Sequence, residues 1–167
     1  MRLFHLSDDP GIAHFVPRPS AYTAMPVVWA IEDGRLHNYL LPRDCPRVCF
    51  YAGEGTTTDD RARWLGDAHA VIAIEAAWLE RMRAAQLQCY AMPAGTFRLQ
   101  DAGAGYWVSE TGVTPHDVEL LDDLPAALTA RGVELLVLPS LWDLHDAVMA
   151  SSLVFSMIRM RNAATRE

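Results

Sequence analysis

Short apolar runs bounded by glycine, proline or charged residues recur along this chain, and they constrain its fold more than any other feature. The clearest is Ala70–Glu75, whose composition is typical of an interior strand. Further runs predict strands at 3–7, 27–31, 48–52, 87–92, 106–109, 118–121 and 133–138. Because strands outnumber helices and rarely alternate with them, the sequence predicts an α+β fold with mixed or antiparallel sheets.

The predicted helices are short, except for one near the end of the sequence. Their expected N-caps are Asp33, Thr58 and either Asp122 or Asp123, and another helix is expected at 76–85. Ser140 is predicted to cap the last and longest helix. Its apolar residues, which continue from Leu141 to Ile158, are too many for one narrow stripe. The sequence therefore predicts a long C-terminal helix that packs on most of its sides.

Length and composition indicate a single domain, residues 1–167, which should bury roughly two thirds of its unfolded surface. No apolar run approaches the roughly 18 residues that a membrane span needs, and the first residues read as a strand, not as a leader. We therefore expect a cytoplasmic protein that does not enter a membrane. The formal net charge of −7 argues against bulk electrostatic binding of nucleic acid, which needs a basic face.

All 14 basic residues are arginines, because the sequence contains no lysine. This excludes Schiff-base chemistry and Walker-type phosphate loops, both of which need a lysine amine. Genomic composition bias is the simplest reason for the absence. Any anion that this chain recognises must meet guanidinium groups, backbone amides or hydroxyls.

The three cysteines, Cys45, Cys49 and Cys89, are expected to be reduced, since their number is odd and no export signal is visible. Four extended residues at about 3.3 Å each would place Cys45 and Cys49 roughly 13 Å apart, too far for a disulfide. No cysteine or histidine spacing resembles a zinc site, so no metal site is predicted.

The first candidate site lies on the strand that contains His5 and Ser7. Side chains alternate across a strand, so these two polar groups share one face and directly precede a turn. The alternative is that His5 is an ordinary, satisfied histidine beside a strand.

The second candidate is the segment 42–47, where Arg43 and Arg47 are held between two prolines. Prolines lower the entropy lost when a loop orders around a ligand, so the two arginines could present a guanidinium fork to a phosphate. The alternative is a salt bridge to Asp44 or a nearby carboxylate that fastens the turn.

The third candidate is the segment 105–110, in which Tyr106 and Glu110 share one strand face and Trp107 lies on the other. An aromatic ring and a carboxylate on the same face could stack a flat ring and hold a ribose hydroxyl. The alternative is core packing of Trp107 beside an exposed Glu110.

The order of these features resembles the ADP-ribosyltransferase-like fold. It runs from a first strand with His5 and Ser7, through a strand with Trp29 and a helix with Tyr39, to late strands that begin at Tyr106. More closely, it resembles a family of uncharacterised bacterial proteins associated with that fold, and the likeness spans most of the chain.

The resemblance implies that NAD is bound as a substrate, with His5 on its ribose, Trp29 in the place of the second-strand aromatic and Tyr39 in the place of the helix tyrosine that packs on nicotinamide. Catalytic members add a late glutamate, which here is Glu110 or Glu75 or is missing. The related RNA 2′-phosphotransferases use histidine and arginines instead, and His5, Arg43 and Arg47 would suit that chemistry.

The expected function is therefore binding of NAD, ADP-ribose or a phosphorylated nucleotide, with possible transfer of ADP-ribosyl or phosphoryl groups. In that case the catalytic residues are His5, Glu110 and Arg47, and the ligand contacts are Ser7, Trp29, Tyr39, Arg43 and Tyr106. The alternative is a non-catalytic module of the same fold that binds a nucleotide or a protein.

Thiol titration tests the expectation for the cysteines. Protein purified without a reductant and then unfolded should titrate as three free thiols, because the spacing and the predicted location both disfavour disulfides. A count of one or none would contradict this prediction.

Overall fold

The computed structural model describes residues 1–166, and this part of the chain forms an α+β fold with two sheets and short helices. The chain divides into two compact units. The first consists of Met1–Tyr39 and Gln86–Asp122. The second consists of Leu40–Ala85 and of the described residues from Asp123 onward. No helix among residues 1–166 is both long enough and apolar enough to span a membrane.

The first unit is built on a six-stranded antiparallel sheet. Its strands are β1 (Leu3–Ser7), β2 (Val28–Glu32), β5 (Leu87–Met92), β6 (Arg98–Asp101), β7 (Tyr106–Ser109) and β8 (Asp117–Leu121). Their order across the sheet is β6-β7-β2-β1-β5-β8. A 3-10 helix, Asp33–Tyr39, follows β2, and a short one, Ala94–Thr96, precedes β6.

Each face of the first sheet has its own apolar cluster. One face includes Leu3, Val28, Ala30, Tyr90 and Met92 and is covered by Phe15. The other includes Phe4, Leu6, Ile31 and Cys89, with Leu36 of the 3-10 helix packed on it. The two clusters follow from strand alternation, since odd and even positions of β1 project to opposite sides.

The second unit contains a four-stranded mixed sheet. Its strands are β3 (Arg47–Tyr51), β4 (Ala70–Glu75), β9 (Val133–Leu138) and β10 (Val154–Ile158), in the order β10-β3-β4-β9. Its helices are α1 (Thr58–Trp64), α2 (Leu79–Ala84), α3 (Leu124–Thr129) and α4 (Trp142–Met149), with short 3-10 helices at Ala76–Trp78 and Met160–Asn162. β4 and β9 are parallel, and the other pairs are antiparallel.

The central strands of the second unit, β3 and β4, are buried at every residue. Val48, Phe50 and Val71 pack against Leu144 and Val148 of α4. Strands buried on both faces read as continuous apolar runs, which is why 48–52 and Ala70–Glu75 were recognisable in the sequence.

The prediction of one long C-terminal helix is wrong, because α4 ends at Met149 and the chain continues as strand β10. Two serines end the helix: Ser151 Oγ donates to the Val148 carbonyl at 2.7 Å, and the Ser152 amide donates to Asp60 Oδ2 at 2.7 Å. Serine side chains that bond to the backbone compete with helix propagation. The β-branched and aromatic residues that follow then pair with β3.

Smaller expectations at helix and strand ends are settled in the same way. Asp123 is the cap of α3 and accepts from the Ala126 amide, as expected, whereas α1 is capped by Thr57 and not by Thr58. The helix expected at 76–85 is a 3-10 turn followed by α2. Strand β6 was missed because all four of its residues are exposed and leave no apolar pattern. Cys45, Cys49 and Cys89 are free and buried, which confirms the expectation of unlinked thiols.

Helix α4 offers a test of which residues stabilise the second unit. Leu144→Ala should lower the free energy of unfolding by about 2 to 5 kcal/mol, because it removes a buried leucine from the core. Met149→Ala, at the end of the same helix, is the matched control, because Met149 is 53% exposed and should change stability by less than about 0.5 kcal/mol. Urea unfolding curves measure both, and equal midpoints would contradict the core assigned here.

Candidate functional site

The register of β1 and β2 decides which predicted site residues lie together. Leu3 pairs with Glu32, and Phe4 pairs with Ile31. Residues directly opposite one another in an antiparallel pair project to the same face, so His5 lies on the face of Leu3 while Trp29 lies on the face of Ile31. The expectation that His5 and Ser7 contact the same ligand as Trp29 is therefore wrong.

His5 is held against its own chain. Its Nδ1 lies 2.9 Å from the Trp29 carbonyl oxygen. Since a carbonyl only accepts, the ring carries a proton on Nδ1 and donates it. The His5 ring also packs against Phe15, with centroids 4.7 Å apart. These contacts favour the interpretation of His5 as an ordinary, satisfied histidine.

The segment 9–15 covers the face of the sheet that carries His5. Backbone groups of this segment form hydrogen bonds with polar side chains of that face. Tyr90, which pairs with His5, donates its hydroxyl to the Asp9 carbonyl at 2.7 Å and accepts from the Ile12 amide at 3.2 Å. Ser7 is buried, and its Oγ accepts from the Asp9 amide at 3.1 Å. Ser7 therefore fixes the turn that follows β1.

The opposite face brings three of the predicted ligand contacts together: Trp29, Tyr39 and Tyr106, which we call the aromatic face. Trp29 and Tyr106 meet edge to face, with centroids 5.6 Å apart and planes 80° apart. Tyr39, the last residue of its 3-10 helix, lies 6.0 Å from Tyr106 at 60°. All three side chains are half-buried, so each ring keeps some surface toward solvent.

Gly105 sets the position of Tyr106. It has a φ of +70°, and a Cβ at this residue would lie 2.7 Å from side-chain carbons of both Glu32 and Arg35. Only glycine takes this left-handed conformation without strain and also permits the close approach. The Gly105 carbonyl accepts from the Glu32 amide at 3.0 Å, which ties the start of β7 to the end of β2.

A polar groove adjoins the aromatic face on the same side of the sheet. Val108 pairs with Trp29 on one side and with Arg98 on the other, so the three share a face. Arg98 Nη2 donates to Glu110 Oε1 at 3.1 Å, and both side chains are about half exposed. The groove measures about 450 Å³ and is lined by Thr96, Arg98, Val108, Glu110 and Thr111.

Ser109 forms hydrogen bonds with two of the groove residues, Thr96 and Thr111. It is 1% exposed, and its Oγ donates to Thr96 Oγ1 at 2.9 Å. The same oxygen accepts from the Thr111 amide at 3.3 Å. The buried hydroxyl therefore fixes both threonines beside the Arg98–Glu110 pair.

Arg47 does not present its guanidinium to a ligand. It is 2% exposed, and its Nη1 donates to the carbonyls of Cys45 at 2.9 Å and Pro42 at 3.2 Å. Arg43 is exposed, and its carbonyl accepts from Arg159 Nε at 3.3 Å. The predicted guanidinium fork is therefore wrong, because the loop folds around Arg47 and leaves only Arg43 outside.

Burial also decides the chemistry of the groups around Arg47. Desolvation lowers the pKa of the Arg47 guanidinium and raises the pKa of the Cys45 thiol to about 11 and that of the Cys49 thiol to about 12. Thiols with such pKa values stay protonated near neutral pH and are poor nucleophiles. This cluster is structural.

The family of this chain is shown by one comparison. The model of a family of unknown function, DUF6886, matches residues 4–163. This chain belongs to the DUF6886 family. No curated protein and no solved structure matches this chain. The DUF6886 match includes every residue of the aromatic face and the groove.

Sequence reasoning missed Arg98, Thr96 and Thr111, which lie on or beside the exposed strand β6. A signal for Arg98 exists in the sequence, since 98–101 and 106–109 are joined by a glycine-rich turn. Pairing these segments as a hairpin would have placed Arg98 beside β7, but its position opposite Val108 also depends on the register shift between Leu99 and Asp101.

Arg47 generates a test that separates structure from binding. Arg47→Ala should lower the free energy of unfolding by about 1 to 3 kcal/mol for each buried carbonyl that loses its donor. Arg43→Ala removes an exposed arginine from the same loop and should change stability by less than about 0.5 kcal/mol. Urea unfolding of the two variants decides, and equal stabilities would refute the structural role of Arg47.

Proposed function

We propose that this DUF6886 chain is a binding protein for a nucleotide-class small molecule, with NAD or ADP-ribose as the first candidates. One observation supports this proposal: the half-buried aromatic face adjoins a groove that contains one guanidinium and one carboxylate. Trp29, Tyr106 and Arg98 belong to one face of one sheet, and Tyr39 packs near Tyr106 from the 3-10 helix that follows β2. Nucleotides are metabolites of the cytoplasm, the location proposed for this protein.

The parts of a nucleotide match the groups of this face. A base or nicotinamide ring stacks on Trp29 or Tyr106, and stacking on an aromatic side chain contributes about 1 to 3 kcal/mol per base. A phosphate is met by the Arg98 guanidinium, whose planar fork suits it. The Glu110 carboxylate is an acceptor for ribose hydroxyls. A groove of about 450 Å³ is within the range of small-molecule sites.

The Arg98–Glu110 pair sets a condition on the ligand. A phosphate has to compete with the Glu110 carboxylate for Arg98, so a phosphate alone gains little here. A ligand with both a ribose and a phosphate replaces the ion pair with two new partners, one for each side chain. This favours a nucleotide over inorganic phosphate.

The binding module is favoured over a transferase. The resemblance implies a catalytic set of His5 with a late glutamate, but the His5 side chain and the aromatic face lie on opposite sides of the sheet. Transfer of an ADP-ribosyl or phosphoryl group remains the alternative, with Glu110 as the carboxylate that stabilises positive charge developing at the ribose.

Calorimetric titration with NAD, ADP-ribose and AMP tests the proposal after a thermal-shift screen. We expect at least one of these ligands to bind, and Trp29→Leu to weaken it at least tenfold through the lost stacking. Arg98→Gln should weaken AMP about tenfold and leave adenosine unchanged, since only AMP carries a phosphate. His5→Asn, on the opposite face, is the control and should keep the wild-type affinity.

Three results would change the conclusion. If none of the ligands binds or raises the melting temperature, the nucleotide proposal fails. If His5→Asn abolishes binding while Trp29→Leu does not, the ligand uses the other face. Release of nicotinamide from NAD by the wild-type protein, lost in Glu110→Gln, would establish the transferase alternative.

A further inference from the structure

Within residues 163–166, the backbone of one residue, Ala164, is bound by side chains of the second unit. The Ala164 amide donates to both carboxylate oxygens of Glu75, at 3.0 and 3.1 Å. The Ala164 carbonyl accepts from the Trp142 indole Nε1 at 2.7 Å. Side chains of the unit therefore recognise both the donor and the acceptor of this backbone segment.

Two residues after Ala164, the Arg166 guanidinium is bound by Asp146 and Trp142. Its Nη1 and Nη2 donate to the two oxygens of Asp146 at 2.7 and 3.0 Å, and the guanidinium carbon lies 4.4 Å from the Trp142 ring centroid. His145 Nδ1 donates to the same carboxylate at 2.8 Å. Bidentate pairing together with stacking on indole selects arginine over lysine.

The Glu75 carboxylate can accept more hydrogen bonds than residues 163–166 donate to it. Its side chain is buried at the carboxyl end of β4, 4% exposed, and within residues 1–166 its hydrogen-bond donor is the Ala164 amide alone. A carboxylate has about four acceptor positions, more than one amide can fill. In sheets with parallel strands, ligands bind at this end of the strands. β4 is parallel to β9, and α4 follows β9.

We propose that Glu75, Trp142 and Asp146 form a binding site, here called the arginine cradle, for a protein segment that carries an arginine two residues after the residue whose backbone is bound. Residues 163–166 occupy the cradle as an internal ligand and block it. The cradle binds the backbone N–H and C=O of Ala164 and the side chain of Arg166, so the residue two positions after the bound backbone is the one recognised by its side chain. The partner is another protein that presents such a segment, and it binds when residues 163–166 leave.

Direct binding of a peptide to the full chain tests this proposal. The probe is a fluorescent, end-capped peptide with the sequence of residues 162–167, measured by anisotropy. The receptor is the double variant Ala164→Pro with Arg166→Ala, which removes the amide donor and the guanidinium of the internal segment. Ala163 already has the extended backbone, ψ 157°, that proline favours in the preceding residue.

We expect the double variant to bind the probe at least tenfold more tightly than the wild type, in which the cradle is occupied. Adding Asp146→Asn should weaken that binding about tenfold, because a bidentate charge-assisted contact is lost. Asp67→Asn, an exposed carboxylate elsewhere in the second unit, is the matched control and should have no effect. A probe in which the arginine is replaced by lysine should bind more weakly than the original.

Arg166→Ala alone is the second receptor, because it changes only an exposed side chain and leaves the backbone intact. It should bind the probe at least threefold more tightly than the wild type. Equal affinity of the wild type and both variants, or binding that Asp146→Asn leaves unchanged, would overturn the proposal. Neither result bears on the nucleotide site, which belongs to the first unit.

Discussion

The backbone pairing of β1 with β2 is the constraint on which the first unit depends. It places Phe4 opposite Ile31, and the pairing of β2 with β7 then places Tyr106 opposite Ile31 from the other side. A shift of one residue in either ladder would move every side chain of that strand to the other face. The register therefore decides that the aromatic residues collect on one face while His5 and Ser7 support a loop on the other.

The second unit depends on two strands, β3 and β4, that are buried along their whole length. β3 and β4 have no exposed residue, and Arg47, the buried cation at the start of β3, donates hydrogen bonds to backbone carbonyls of the loop that precedes it. A buried charge without such partners would cost several kcal/mol. The prolines of the segment 42–47 thus hold carbonyl oxygens in place for a cation of the chain itself, and not for a ligand.

The strands with a buried face were predictable from the sequence, since runs such as Ala70–Glu75 and 87–92 carry their own signal. The end of α4 was not, because Ser152 is bound by Asp60, which is remote in sequence. For the site, the common face of Tyr106 and Glu110 followed from alternation within one strand. The separation of His5 from Trp29 needed the register between two strands, and composition does not specify that register.

Both units are assembled from two separate stretches of sequence, so the chain passes between them three times. The parallel ladder of β4 and β9 joins residues that flank the whole stretch 86–122, which contributes strands to the other unit. Closing such a long loop is entropically costly before the ladder repays it, and topologies rich in distant pairings fold slowly. The β4–β9 ladder of the second unit therefore closes a loop whose strands belong to the first unit, and we expect this ladder to form late in folding.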